Sequence, residues 1–168
     1  MMNSRNHSGN LELSHYRAIA EFRYQIRCFL HFSESAAVEA GLEPQQHQLL
    51  LAVKGMPDDR EARIADLAAR LQIQHHSTVE LVNRSVVKGL IQKAPGDTDR
   101  REVHVRLTPK GERVLHALTL HHRDELRRTA PALASALRGL TRASAVGRNR
   151  AQTRKPRTRK RQQSIVQA

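Results

Sequence analysis

Two adjacent arginines, Arg100 and Arg101, lie in the segment KAPGDTDRREVHVRLTPKG, which covers residues 93–111. The loop before them carries Pro95 and Gly96, a composition typical of a turn that projects from the body of a protein. A guanidinium on such a loop can enter a narrow minor groove of DNA, where the negative potential is enhanced. The pair therefore favours contact with DNA, and the alternative is a solvent-exposed charged turn.

A second set of polar side chains lies between residues 75 and 84. The apolar residues Val79, Val82, Val86 and Leu90 recur at helical spacing and predict the side of a helix that faces the core. The remaining sides carry groups that can donate hydrogen bonds to base edges or phosphates, namely those of His75, His76, Ser77, Thr78, Asn83 and Arg84. The alternative is an ordinary solvated helix face.

The elements that must position these residues can be predicted from periodicity. Residues 62–73 read as a short amphipathic helix, and a second helix begins near His75, which is the pattern of a helix-turn-helix. The segment after it alternates as a strand, with Val103, Val105 and Leu107 on one face and His104 and Arg106 on the other. Long helices are expected on either side of this region, at residues 13–40 and from Pro109 onward, where a second helix begins at Pro131.

The charge of the chain is concentrated at one end. Of 168 residues, the last 43 hold twelve Lys and Arg and no acid, so most of the net charge of +13 belongs to this end. Residues 143–168 are expected to form a disordered basic tail, and residues 1–12 a disordered N-terminus. No apolar run is long enough to cross a bilayer, and with a single cysteine no intramolecular disulfide can form, so we expect a cytoplasmic protein.

The sequence resembles the MarR family of bacterial transcription regulators. The likeness extends over residues 13–142 and is carried by the helix-turn-helix, the wing residues Asp99-Arg100-Arg101 and the motif Leu107-Thr108-Pro109-Lys110-Gly111. It implies a mainly α fold with a small β-hairpin wing, a winged helix-turn-helix. In that fold, helices 13–40 and 109–142 form a dimer and residues 43–108 form the DNA-binding lobe.

The resemblance also implies how double-stranded DNA is read. Each subunit of a homodimer would place one recognition helix in the major groove of a pseudo-palindromic operator and its wing near the minor groove. Arg101 occupies the position of the family's wing arginine and is expected to enter the groove, with Arg100 nearer a phosphate. Asp99 is expected to orient Arg84 or Arg101.

All five aromatic residues lie between residues 16 and 32. Phe22, Phe29 and Phe32 fall near one helical face, which favours packing in the core of the dimer. The alternative is that Tyr16, Tyr24 or Phe29 borders a cleft for a small aromatic ligand, as the resemblance implies.

Other site chemistry is weakly supported by the sequence. Cys28 is expected to be a buried, inert thiol. Cys28, His31 and Glu34 share a helical face, but no tight spacing of metal ligands occurs, so we expect no metal and no cofactor. Without a nucleophile and matched base or a phosphate-binding glycine loop, the chain is not expected to be an enzyme. The sequence thus predicts a dimeric repressor released by a small-molecule effector, and the alternative is a general DNA-binding or DNA-compacting protein driven by the tail.

Overall fold

The computed structural model describes residues 13–57, 61–95 and 103–152, with side chains as far as residue 141. Five helices and three short strands follow one another in these ranges: α1 (Leu13–Glu39), α2 (Pro44–Lys54), β1 (Ala62–Arg63), α3 (Ile64–Leu71), α4 (His75–Val87), β2 (Ile91–Pro95), β3 (Val103–Leu107) and α5 (Pro109–Gln152). The expected mainly α fold with a small β wing is confirmed.

Helix α1 ends and α2 begins where the sequence places the signals for them. Gly41 adopts a φ of 77°, and the next amide, that of Leu42, donates to the Ala37 carbonyl at 2.9 Å. This closes α1 with a left-handed residue, for which glycine carries no steric cost. Helix α2 then begins with Pro44 at its first turn and a reciprocal capping box between Glu43 and Gln46.

Helices α3 and α4 form the predicted helix-turn-helix. The turn is closed by Gln72, which adopts a left-handed φ of 56°, and by the Ile73 amide, which donates to the Ala68 carbonyl at 3.2 Å. The connection between the two helices is only three residues long, so it fixes the direction in which α4 leaves the turn.

The three strands form one antiparallel sheet in the order β1-β3-β2. Strand β3 pairs with β2 from Ile91 opposite Leu107 to Pro95 opposite Val103, and β1 adds a two-residue edge that the sequence did not predict. The loop that joins β2 to β3 carries Asp99, Arg100 and Arg101, and these three residues lie outside the described part of the chain.

The main hydrophobic core draws on the end of α1, on α2, α3, α4, on the sheet and on the first part of α5. Its fully buried large apolar side chains are Leu49, Leu50, Leu67, Leu81, Val82, Leu90, Ile91 and Val105. Strand β3 contributes to this core less regularly than predicted, because His104 is buried while Val103 is 42% exposed. The strict alternation of the sequence pattern is therefore wrong at the start of β3.

Helix α5 is one continuous helix, and the predicted break at Pro131 is wrong. A proline at a first turn and a proline inside a helix look alike in a sequence, and the surrounding Arg, Leu and Ala residues all favour helix. The helix continues to Gln152, so residues 143–152, expected in the irregular tail, are helical. The expected disorder of residues 1–12 falls outside the described residues, as does that of 153–168.

Packing divides the chain into two compact units. One unit is residues 26–131. The other combines the chain up to Gln25 with the chain from Ala132 onward, that is, the start of α1 and the end of α5. Large apolar side chains of this second unit are about half exposed, namely Leu13, Tyr16, Ile19, Tyr24 and Leu137. Across the described residues, no helix has both the length and the hydropathy that a bilayer-spanning segment requires.

Candidate functional site

The exposed side of α4 carries four of the six predicted DNA-binding residues of this helix. His75 and His76 occupy its first turn, and Asn83 and Arg84 follow two turns later, all with exposed side chains. The backbone N–H groups of a helix's first turn have no intrahelical acceptor, so they favour an anion such as a phosphate. This surface therefore offers donors at both ends.

The buried side of α4 differs from the prediction. Thr78 is completely buried and its hydroxyl donates to the Gln74 carbonyl at 3.1 Å, so it cannot reach a base and is removed from the candidate set. Leu81 and Ser85 also face the core, whereas Val86 is 37% exposed. The helix is rotated by about one residue from the predicted stripe, because small polar side chains that bond to their own helix can be buried as readily as valine. Ser77 is half-buried at the edge of the surface.

Asn83 is joined to the wing. The Lys93 ammonium of β2 donates to the Asn83 Oδ1 at 2.6 Å, and both side chains are exposed. This hydrogen bond links the exposed surface of α4 to β2.

Arg84 is held by the start of α2. Its guanidinium Nη2 lies 3.5 Å from the Glu43 carboxylate, and the Lys88 ammonium lies 3.9 Å from the same carboxylate. Lys88 also donates to Gln46 Oε1 at 2.9 Å, and the same oxygen accepts a hydrogen bond from the Glu43 amide. One acid at the cap of α2 thus faces two cations of α4.

A groove lies between the start of α4 and the wing strands. It has a volume of about 470 Å³ and is lined by Arg63, Ile64, Ala65, His75, Val79, Lys93 and Val103. Its floor is apolar, and its polar residues are the two cations Arg63 and Lys93 and the imidazole of His75. Among the described residues that line the groove none is acidic; Arg63 pairs with Asp66 at 2.9 Å, so Lys93 supplies most of the positive charge, which favours an anionic partner.

Glu61 connects β3 to the residues before α3. Its carboxylate pairs with the guanidinium of Arg106 and with Nδ1 of the buried His104. The hydrogen bond from Arg106 is the main reason that the pKa of Glu61 lies below its ordinary value. The contacts of this carboxylate stabilise the short β1–β3 edge of the sheet.

A separate cavity of about 480 Å³ lies within the unit of residues 26–131. It is lined by Phe29, His47, Leu51, Thr119, His122, Arg123, Leu126, Arg127 and Ala130. Apolar walls with a few polar groups are typical of a small-molecule site, and the two arginines pair with Asp124 at 3.4 and 3.7 Å. Of the residues predicted for such a cleft, Phe29 lines the cavity, whereas Tyr16 and Tyr24 belong to the other compact unit and are more than half exposed.

Two histidines of this cavity are in ring contact. His122 uses Nδ1 toward the Leu118 carbonyl at 2.7 Å and Nε2 toward the Ser33 hydroxyl at 2.8 Å. A carbonyl can only accept, so Nδ1 carries a proton and donates it to the Leu118 carbonyl. Burial lowers the pKa of His47 to about 4, and the charge of His122 acts in the same direction.

Cys28 is exposed, so the expectation of a buried thiol is wrong for this chain. Within the described residues, no group of three or more His, Cys, Asp or Glu side chains converges as a metal site would require. Phe29 and Phe32 pack edge-on against His122, so both phenyl rings lie within the unit of residues 26–131.

Several residues of the site escaped the sequence reading. Lys93 and Glu43 are separated from their α4 partners by 10 and 41 positions, so no local spacing reveals these pairs. Arg63 stands just before α3 and reads as part of an ordinary charged helix start. Only the packing of α2, β1 and β2 around α4 brings them together.

Comparison with known proteins finds similarity to one family. A model described as MarR family matches residues 40–102, which include the helix-turn-helix and the start of the wing. A candidate transcriptional regulatory protein for the hcr operon of Thauera aromatica is 29% identical over 93 residues. That match covers 55% of this chain and 54% of the relative, so the chain spans about half the length of the relative.

Solved structures share the fold at lower identity. AbsC, a MarR family transcriptional regulator from Streptomyces coelicolor, has a TM-score of 0.60 and 21% identity, and the match covers 82% of this chain and 91% of AbsC. BpsR of Bordetella bronchiseptica, solved in a study of how 6-hydroxynicotinic acid regulates its DNA binding, has a TM-score of 0.56 and 19% identity. That match covers 77% of this chain and 98% of BpsR.

Proposed function

We propose that the chain is a member of the MarR family of transcription regulators and that it is a sequence-specific DNA-binding repressor that acts as a homodimer. The observation that carries the proposal is the exposed surface of α4, where His75, His76, Asn83 and Arg84 present donors beside a cationic groove. A helix that follows a three-residue turn and projects its polar side outward is the geometry with which helix-turn-helix proteins enter the major groove.

The wing has its own role in the proposal. Arg100 and Arg101 belong to the segment between β2 and β3, and residues of both strands, Lys93 and Val103, line the groove beside α4. We assign Arg101 to the minor groove, Arg100 to a phosphate and Asp99 to the orientation of a neighbouring arginine. Glu61 and Arg106 support this assignment, because they anchor β3 and so fix one end of the loop.

Exposed apolar side chains support the proposal of a dimer. Ile19 and Leu137 are 49% and 51% exposed in the unit that contains the start of α1 and the end of α5. A second copy of the chain would remove this surface from water, which stabilises a symmetric pair. A homodimer matches a pseudo-palindromic operator, with one α4 for each half-site.

Release by a small molecule is supported by the cavity lined by Phe29, His47 and Arg127. BpsR provides a precedent for a DNA-binding relative regulated by an aromatic acid. Such a ligand shifts the protein away from DNA only if it binds the non-fitting arrangement more tightly than the fitting one. We place the protein in the cytoplasm, where the DNA of a bacterium lies.

A second candidate function is sequence-independent DNA binding. The specific observation for it is the tail, in which the segment RKPRTRKR carries six basic residues among eight. Such a segment binds any duplex by releasing counterions and reads no bases. In that case the folded part would contribute little to the choice of site.

Selection of bound sequences from random duplexes, with the full chain and with residues 153–168 deleted, separates the two functions. The proposed regulator recovers the same inverted repeat in both cases, with weaker binding after the deletion. A tail-driven binder recovers no common sequence, and its deletion variant loses nearly all affinity.

A further inference from the structure

The hydrogen bond between Lys93 and Asn83 has a consequence for which bases α4 can read. We infer that Lys93 sets the base preference of Asn83, directing it to guanine rather than adenine. The inference rests on the proposed DNA-binding function and deepens it, since it names one specificity-determining pair and its preference.

The chemistry of the pair fixes the orientation of the amide. A lysine ammonium has three donors and no acceptor, so the amide atom that faces it at 2.6 Å must be the oxygen, Oδ1. The Asn83 Nδ2 group is then the part of the amide that remains for another partner. Both side chains are exposed, so a duplex lying against α4 can reach them.

Recognition of adenine by asparagine needs both halves of the amide. The oxygen accepts from the adenine N6 amino group while the nitrogen donates to N7. In this chain Oδ1 already accepts from a full positive charge, and that charge repels a second incoming donor such as an amino hydrogen. The bidentate contact with adenine is therefore disfavoured.

Guanine presents the complementary pattern. Its major-groove edge carries two acceptors, N7 and O6, and no donor. Asn83 Nδ2 and the Lys93 ammonium together supply donors and a positive charge from adjacent positions, one on α4 and one on β2. The pair thus acts as a composite donor, which suits guanine better than any other base edge.

Selection from random duplexes with variants of the full chain tests this directly. The position read by the pair is identified as the one whose preference disappears in Asn83→Ala. At that position the wild type is expected to enrich guanine. Lys93→Met frees Oδ1 and is expected to shift the ratio of adenine to guanine about tenfold toward adenine, on the scale of one hydrogen bond to a charged group. Lys93→Arg keeps the donors and is expected to retain guanine.

A matched control removes the same charge elsewhere. Lys54 is an exposed lysine paired with Glu112 at 2.8 Å, away from α4, and Lys54→Met is expected to leave every base preference unchanged. Two outcomes overturn the inference: an unchanged preference in Asn83→Ala, or a Lys93→Met profile identical to the wild type at the Asn83 position. Failure of the proposed function looks different, because the wild-type chain would then enrich no sequence at all.

Discussion

The imidazole of His47 on α2 lies against that of His122 on α5, with ring centroids 4.6 Å apart. Only 3% of His47 is exposed, and Phe29 and Phe32 of α1 pack edge-on against His122. Three helices of the same compact unit therefore meet around the two imidazole rings. Burial of His47 among them disfavours its charged form and lowers its pKa.

The stability of the chain is expected to fall between pH 7 and pH 5. The pKa of His47 is about 4 in the folded protein and about 6.5 when the chain is unfolded, so the unfolded state binds the proton first. The stabilisation that His47 contributes is fully present above its pKa in the unfolded chain, about 6.5, and is lost as the pH falls toward 4. The loss between pH 7 and pH 5 is roughly 2 kcal/mol, measurable by urea denaturation at the two pH values.

Substitution of the histidine isolates this effect. His47→Gln is expected to remove most of the difference in unfolding free energy between pH 7 and pH 5, whereas His121→Gln, at an exposed histidine of α5, leaves it intact. A pH dependence that persists in His47→Gln would contradict the assignment. The lowered pKa of Glu61 acts only at lower pH, since a carboxylate with a depressed value titrates below its ordinary range.

Gly111 is expected to be intolerant of a side chain. A Cβ at this position would lie 2.0 Å from the Leu90 carbonyl oxygen, so Gly111→Ala forces the start of α5 away from the backbone that leads into β2. We expect a loss of about 1–3 kcal/mol or more in the free energy of unfolding, from denaturant titration. This contact gives a physical reason for the glycine of the Leu-Thr-x-x-Gly motif.

Gly139 provides the matched control for that substitution. It also lies in α5, but a Cβ there would sit 3.8 Å from that of Ala18, an ordinary contact. Gly139→Ala should therefore stabilise the chain by roughly 0.5–1 kcal/mol through helix propensity. Equal destabilisation by both substitutions would show that the Leu90 contact is not the cause.

Removal of the Glu43 charge is expected to tighten DNA binding. Glu43→Gln keeps a side-chain oxygen for the cap of α2 but frees Arg84 and Lys88 from the carboxylate that faces them. Both cations then become available to phosphates, so we expect a several-fold gain in affinity and a steeper salt dependence, by about one unit for each new contact. Fluorescence anisotropy over a series of salt concentrations measures both quantities.

The control for that substitution is Glu112→Gln, which frees Lys54 from the acid with which it pairs. Because this pair lies away from α4, the affinity for DNA should change less than in Glu43→Gln. Weaker binding by Glu43→Gln would instead mean that the carboxylate aims Arg84 at the DNA.

A charge on the exposed apolar surface of α1 is expected to prevent dimer formation. Ile19 is 49% exposed in the unit assigned to the dimer, and Ile19→Asp should give a monomer in sedimentation velocity and weaken operator binding. Val38→Asp, at a 62% exposed apolar residue of the same helix in the other unit, should remain dimeric. The opposite pattern would place the interface elsewhere.

Local signals in the sequence predict the helix-turn-helix and the β2–β3 hairpin, but they miss β1 and place a break at Pro131 that the continuous α5 does not have. Gly41, Pro44 and Gly89 mark helix ends because their backbone preferences are fixed by covalent geometry, and each lies where the structure has a boundary. Periodicity was less reliable on α4. It selected Val79 and Val86 for the core, whereas Thr78 and Ser85 are buried because each hydroxyl donates to a carbonyl of its own helix or cap.

The functional surface could be predicted only in part. His75, Asn83 and Arg84 follow from the place of α4 in the helix-turn-helix. Their partners Lys93 and Glu43 do not, because these contacts depend on how β2 and α2 pack around α4. Continuity of α5 through Pro131 also depends on context, since the cost of one lost hydrogen bond is offset by a long run of good helix formers.

The central claim is that two copies of the chain bind one operator and read its bases. Sedimentation of the full chain with a duplex that carries the selected sequence, in the presence of excess random DNA, measures the number of chains per duplex under competition. We predict two chains per duplex, retained in the presence of the competitor. The claim would be contradicted if more chains bound to longer duplexes and if random DNA competed as effectively as the selected sequence.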